Sequence, residues 1–214
     1  VCSGGRPCQV HNNCSGKHAG FLTLAGHLGA GPDYIAPDHP VQRAVKAAFE
    51  EMTGETSPGH GIDGCSAPNF ACTVAGLARA MARMAAARAA GGGGSARTRA
   101  AARLVAAMTA HPELVAGEGR ACTELMRAMG GQVAVKTGAE AVFVAILPGP
   151  GLGVALKIED GATRGSECAV AAILARLGAL DPDHPAARAV MNAGIVNRRG
   201  IVTGTIRPAP ALTR

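Results

Sequence analysis

Ten consecutive residues near the start of the chain, His11-Asn12-Asn13-Cys14-Ser15-Gly16-Lys17-His18-Ala19-Gly20, crowd together side chains that can donate, accept, ligate or attack. The apolar run that follows, Phe21-Leu22-Thr23-Leu24-Ala25, places them at the mouth of a buried helix. Asn13 is a natural N-cap, and Cys14 and Lys17, three apart, share one face of the first turn. The free amides of that turn favour a thiolate or an anionic substrate group. Three readings fit these residues. In one, Cys14 is a nucleophile with Lys17 or His18 as its base, because the thiolate is the reactive form and a nearby cation lowers its pKa. In another, Cys14, Lys17 and Cys65 give zinc a soft, part-amine shell with a fourth position open. The third is a capped helix with a buried Cys and no chemistry.

Two further strings carry reactive groups. Residues 55–69 are too rich in Gly and Pro for a regular element, and form an ordered polar loop whose His60, Asp63 and Cys65 can be brought to the first stretch. The chain uses 17 Arg and only four Lys, so a Lys at a site is less readily a generic positive charge. Lys17 and Lys136 lie in motif-like strings, where an amine able to lose its proton is needed and Arg cannot serve. Lys46 and Lys157 read as surface positions. Lys136-Thr137-Gly138 resembles the triad that penicillin-binding proteins and serine β-lactamases carry on a strand beside the active site. Here too the triad falls on a predicted strand, followed by a hairpin and a long helix. No Ser-x-x-Lys, the nucleophile motif of that class, occurs in the 214 residues.

The elements that must position these groups follow from periodicity and punctuation. Helices are predicted over residues 14–29, ending at Gly29 or Gly31, and over 40–52, opened by Pro40 and closed by Gly54. Further helices are predicted over 71–90, from the Gly-rich break at 91–95 to Ala110, and over 118–129, with His111-Pro112 starting a short connection. Strands follow at 132–138, 141–147 and 152–159, the last two joined by Pro148-Gly149-Pro150-Gly151 as a hairpin. Helices near 165–177 and 184–191 and a strand at 200–207 complete the chain. Helices, then a small antiparallel sheet flanked by helices, is an α+β order rather than alternating βαβ.

Composition narrows the function classes. With 48% hydrophobic residues the chain can bury a real core, and its length fits a single domain over residues 1–214. No apolar run approaches the roughly 20 residues of a membrane span. The net charge of +6 comes from Arg on Ala-rich segments, such as Arg79, Arg83 and Arg88 or Arg97, Arg99 and Arg103, spaced as solvated helix faces. With one Tyr, four Phe and no Trp, few aromatics are available to stack bases, so nucleic acid is not the expected partner. Seven Cys without framework spacing argue for reduced thiols in a cytoplasmic protein. The chain begins Val1-Cys2-Ser3 with neither an initiator Met nor a secretory segment, and is read as a piece that starts partway through a protein.

Taken together, His11-Asn-Asn-Cys-Ser-Gly-Lys-His-Ala-Gly-Phe21, His60-Gly-Ile-Asp-Gly-Cys-Ser-Ala-Pro-Asn-Phe70 and Lys136-Thr-Gly-Ala-Glu140 resemble the bacterial thermolabile, rhizobial-type asparaginase II family from about Cys8 to Pro208. The resemblance implies a serine-β-lactamase-like fold, usually homodimeric, that hydrolyses L-asparagine to L-aspartate and ammonia with two Ser-Lys pairs and a bound zinc ion. Cys14, Lys17 and Cys65 match the zinc ligands, and Asp63 an active-site carboxylate beside them. Lys136 matches the Lys of one Ser-Lys pair, and Cys122 a Cys near the pocket. Asn12, Asn13 and His18 are expected as polar neighbours of the site. The family's Ser-x-x-Lys and the Ser partnering the residue that matches Lys136 precede Val1, so the chain looks like the C-terminal two-thirds of such an enzyme. The rival classes are a penicillin-recognising serine hydrolase, on Lys136-Thr137-Gly138 alone, and a non-catalytic zinc-binding module.

Overall fold

The computed structural model describes Arg6, residues 13–91 and residues 93–213. His11 and Asn12, together with Cys2 and Cys8, lie outside the described residues. Contacts divide the chain after Thr73 into two compact units, each with its own core.

The first unit is built from two helices and a hairpin. Helix α1 (Ser15–Leu28) ends where Gly29 takes a left-handed conformation at φ 60, freely open to a residue without Cβ. Helix α2 (Pro40–Thr53) starts on Pro40, with the His39 ring accepting the Val41 N–H, and stops at Gly54. Residues 55–69, read above as irregular, instead contain strands β1 (His60–Ile62) and β2 (Pro68–Phe70), which pair antiparallel with Ile62 opposite Pro68. Each strand is only three residues long, and a Pro is tolerated because every strand of a two-stranded sheet is an edge. Such short strands leave no alternation to detect. The Ser57 hydroxyl lies 2.8 Å from the carbonyls of both Gly59 and Ala71, and its N–H donates to Glu50 of α2. The base of the hairpin is thereby tied to the helix. Phe21, Ala25, Val41 and Ala67 form a small buried core, lined by Leu24, Tyr34, Val45 and Cys65.

The second unit has a longer element list. Helices α3 (Val74–Ala89), α4 (Ala96–Ala110), α5 (Pro112–Ala116) and α6 (Ala121–Ala128) precede strands β3 (Ala134–Thr137), β4 (Val142–Leu147) and β5 (Leu152–Lys157). After them come α7 (Thr163–Arg176), α8 (Pro185–Met191), a hairpin of β6 (Ala193–Val196) and β7 (Val202–Ile206), and the short α9 (Pro210–Thr213). The three central strands form an antiparallel sheet in the order β3-β4-β5. Helix α3 packs on β5 and β4, and α7 on β4. Leu125, Met126, Val135, Phe143, Ile146, Leu147, Val170 and Leu174 are fully buried at the centre. The architecture is α+β, as the element order implies. The connection at His111-Pro112 opens α5 rather than a loop, and β6 and α9 are too short to show a period in the sequence. No helix among the described residues is long and apolar enough to cross a membrane.

The Ala-rich sequence of α3 has a packing reason. A Cβ placed on Gly153 of β5 would run into the backbone of Ala78, Met81 and Ala82, so strand and helix touch backbone to backbone. Small residues on α3 and Gly on β5 are what permit that approach. Gly153→Val is expected to destabilise the protein by about 3 kcal/mol or more, because the clash is with main chain that cannot rotate away. Urea unfolding checks this; an unchanged midpoint would mean that helix and strand are not in this contact.

Candidate functional site

Four of the reactive side chains of the first unit converge. Cys14 is the N-cap of α1 and Lys17 lies in its first turn. The tip of the β1-β2 hairpin supplies the other two. There the Asp63 N–H donates to Ala67 O at 2.9 Å, the Ser66 N–H donates to Asp63 O at 2.8 Å, and Ser66 adopts φ 73. Ala67, fully buried, anchors this tight turn in the core. The turn holds Asp63 and Cys65 against the start of α1. Lys17 Nζ donates to Asp63 Oδ2 at 2.9 Å, the Gly64 N–H donates to Oδ1 at 2.7 Å, and the Cys65 thiol reaches Oδ2 at 3.6 Å. Cys14 Sγ, Cys65 Sγ and an Asp63 carboxylate oxygen all lie within 4.8 Å of one another. The five described Cys, namely Cys14, Cys65, Cys72, Cys122 and Cys168, are all free thiols.

The charges at this cluster are mutually dependent. The Lys17 hydrogen bond, reinforced by its charge and by the Gly64 N–H, holds the Asp63 carboxyl below its usual range, against a smaller opposing effect of burial. Burial works against the Lys17 ammonium, but hydrogen bonds to Asp63 and Cys65 and their charges outweigh it, so its pKa stands above the ordinary value. Burial and a hydrogen bond with Cys65 push the Cys14 thiol up, despite the neighbouring Lys17 charge. A group whose pKa is lowered on folding contributes stability that is lost as the pH falls through the lowered value, and a raised Lys loses its contribution as the pH rises through the raised one. In protein stripped of metal by a chelator, the pair should therefore stabilise the fold from about pH 4 to about pH 10. The side chains are 37% and 31% exposed, so solvent screening keeps the effect under about 1 kcal/mol. Asp63→Asn should flatten the acid limb of Tm against pH, and an acid limb identical to wild type would contradict the pairing.

The donor set fits a zinc ion. In a tetrahedral site with Zn–S near 2.3 Å and Zn–N or Zn–O near 2.0 Å, ligand atoms stand roughly 3.3–3.8 Å apart. The Cys65 to Asp63 separation of 3.6 Å falls in that range, and the three ligand atoms all lie within 4.8 Å of one another. Two thiols, a carboxylate and an amine are all groups that zinc accepts once deprotonated.

The other expected neighbours take different places. His18 Nδ1 bonds the Tyr34 hydroxyl at 2.9 Å, and its ring stands edge-on to Phe21 and Tyr34. Nε2 is buried with no described partner. His18, itself on α1, therefore joins that helix to Tyr34 in the loop before α2. Asn13 does not cap α1: the helix starts one residue later than its side chain requires, Cys14 occupies the N-cap, and no side-chain cap bond forms.

Lys136 and Cys122 belong to the second unit. Lys136 is exposed near the end of β3 with Nζ donating to Thr137 O at 3.1 Å. Beneath it, the Thr137 N–H donates to Cys122 Sγ of α6 at 3.3 Å. Burial raises the Cys122 thiol, more than the Thr137 amide and the Lys136 and Arg120 charges lower it. Cys122 is thus a neutral thiol that fixes the Lys136-Thr137 backbone, not a ready nucleophile. Two features here were not legible in the sequence. Glu140 and Ala141 both adopt left-handed conformations, at φ 53 and φ 55, although neither is Gly. Glu167 on α7 is half-buried, and that burial raises its carboxyl despite the nearby Arg120.

The sequence profile of L-asparaginase II matches residues 1–208. The chain belongs to the L-asparaginase II family. A comparison with curated proteins gives no match. The matched span of this asparaginase II family member includes Cys14, Lys17, Asp63, Cys65, Cys122 and Lys136.

Proposed function

We propose that this asparaginase II family member hydrolyses the side-chain amide of L-asparagine, giving L-aspartate and ammonia. The observation that carries the reading is the convergence of Cys14, Lys17, Asp63 and Cys65, which stand up to 51 positions apart in sequence, inside a family match spanning nearly the whole chain. Amide hydrolysis needs an activated nucleophile, a group that stabilises the oxyanion and a proton for the departing ammonia. Lys136 is assigned as base or relay toward the hydroxyl of a Ser that is not among these 214 residues. An amine serves as base only when neutral, a state favoured by desolvation or a neighbouring cation. Cys122 holds the strand end that presents this amine. Asp63 orients the substrate, either directly at its α-ammonium group or through Lys17.

Zinc is assigned to Cys14, Lys17 and Cys65, with Asp63 beside them. When bound, it supplies a fixed positive charge that orders the pocket. Because the proposed nucleophile is a Ser, the ion is given a positioning role rather than that of generating hydroxide. The reading carries with it a homodimer in the cytoplasm.

A second reading is favoured by one observation. The Lys136-Thr137-Gly138 triad, the kind of string that penicillin-binding proteins carry, runs from the end of β3 into the turn ahead of the β4-β5 hairpin and α7. Ammonia release from L-asparagine by the full-length protein separates the two. Release without acylation by a labelled penicillin supports the amidohydrolase. Acylation without ammonia supports the penicillin-recognising class. Zinc retained with neither activity leaves a metal-binding module.

A further inference from the structure

We propose that Cys14 and Cys65 form a reversible, peroxide-sensitive dithiol, whose oxidation to a disulfide removes the ligands of the bound ion. Loss of the ion rests on the zinc reading above, whereas the disulfide does not.

The geometry singles out this pair. The two sulfurs lie within 4.8 Å of one another and their side chains are hydrogen-bonded. No other thiol is among the groups that act on Cys72, Cys122 or Cys168. Cys14 and Cys65 are half-buried rather than sealed, so a small oxidant reaches them, while Cys122 and Cys168 are buried. Shortening the separation to a bond of about 2.05 Å requires side-chain rotation. The Cys14 side chain makes no cap bond to α1, and Cys65 sits in the hairpin tip outside the paired residues of β1 and β2.

The chemistry balances with hydrogen peroxide as the two-electron oxidant. One thiolate attacks a peroxide oxygen, breaking the O–O bond and leaving a sulfenic acid, with the other oxygen departing as water after taking up a proton. The second thiolate attacks that sulfur, displacing the hydroxyl as a second water and forming the S–S bond. Two thiols lose two electrons and two protons, and the peroxide becomes two waters. A disulfide offers no thiolate to zinc, so the oxidised cluster retains only Lys17 and Asp63. A reducing dithiol reverses the step by exchange.

The test uses the zinc-loaded chain, treated with a few equivalents of hydrogen peroxide. Released zinc is followed with a chromophoric chelator, and tryptic peptides are mapped by mass spectrometry. Because trypsin does not cleave between Arg6 and Pro7, Cys2 and Cys8 share a tryptic peptide with Cys14, and Cys72 shares one with Cys65, so the link is assigned in a Cys2→Ser/Cys8→Ser/Cys72→Ser background. The expected result is one zinc released per chain together with a Cys14–Cys65 cross-link, both reversed by dithiothreitol, and no cross-link in Cys14→Ser. Zinc retained with no cross-link overturns the dithiol and leaves the metal reading intact. So does oxidation of either sulfur to sulfinic acid without a link. A cross-link in a chain that never bound zinc upholds the dithiol and overturns the metal reading.

Discussion

Lys136→Met in the full-length protein is expected to lower the rate of ammonia release from L-asparagine by roughly 10²–10⁴-fold, the range for loss of a positioned general base. Stability should barely move, within about 0.5 kcal/mol, because Lys136 is exposed and removing its amine strands no buried charge. The bond from Nζ to Thr137 O is an exposed one, and the strand pairing of Lys136 with Val144 is made by backbone. Lys136→Arg is the sharper variant. Arg keeps a positive charge and similar reach but cannot give up a proton near neutral pH. If the amine serves only as a cation, Arg restores activity; as a base or relay, Arg is as inactive as Met. Ammonia assays alongside urea midpoints for both variants separate a lost reaction from a lost fold.

Zinc affinity is expected to rise more than tenfold per pH unit between about pH 7 and pH 9, because up to three protons leave Cys14, Cys65 and Lys17 when the ion binds. The cost of neutralising an amine of pKa near 10.4 at pH 7 is about 4–5 kcal/mol, and each thiol adds about 2 kcal/mol. Asp63 makes this harder, since its bond to Lys17 favours the ammonium, and burial keeps the Cys14 thiol protonated. Both effects extend the pH range over which protons must be displaced, so the slope should persist rather than level off near pH 8. Lys17→Met should reduce the slope by about one proton per ion. Calorimetry at several pH values reads it directly, and a pH-independent affinity would remove Lys17 from the ligand set.

The long elements were readable because their signals were redundant. Helix α2 carries Pro40 at its start and Gly54 past its end, and β4-β5 joins two apolar runs across Pro148-Gly149-Pro150-Gly151. The β1-β2 hairpin was not readable. Its strands are three residues long, and residues 55–69 show the Gly and Pro of a loop with the pairing hidden inside. That hairpin nevertheless delivers Asp63 and Cys65 to Cys14 and Lys17. The residue types named the cluster before any geometry did, but only the turn closed by Asp63 and Ala67 explains why they meet. Asn13 shows the opposite case. A good capping residue stands one position too early, since Cys14 takes the N-cap position and no side-chain cap bond forms. The left-handed Glu140 and Ala141 have no sequence signal, because such conformations are ordinarily marked by Gly.

The proposed zinc centre would be formed by Cys14, Lys17 and Cys65 beside Asp63. X-ray absorption at the zinc edge of the loaded protein examines it most directly. Two sulfur neighbours near 2.3 Å with nitrogen or oxygen near 2.0 Å are expected, falling to one sulfur in Cys65→Ser. A zinc shell without sulfur, or one that Cys65→Ser leaves unchanged, would contradict it.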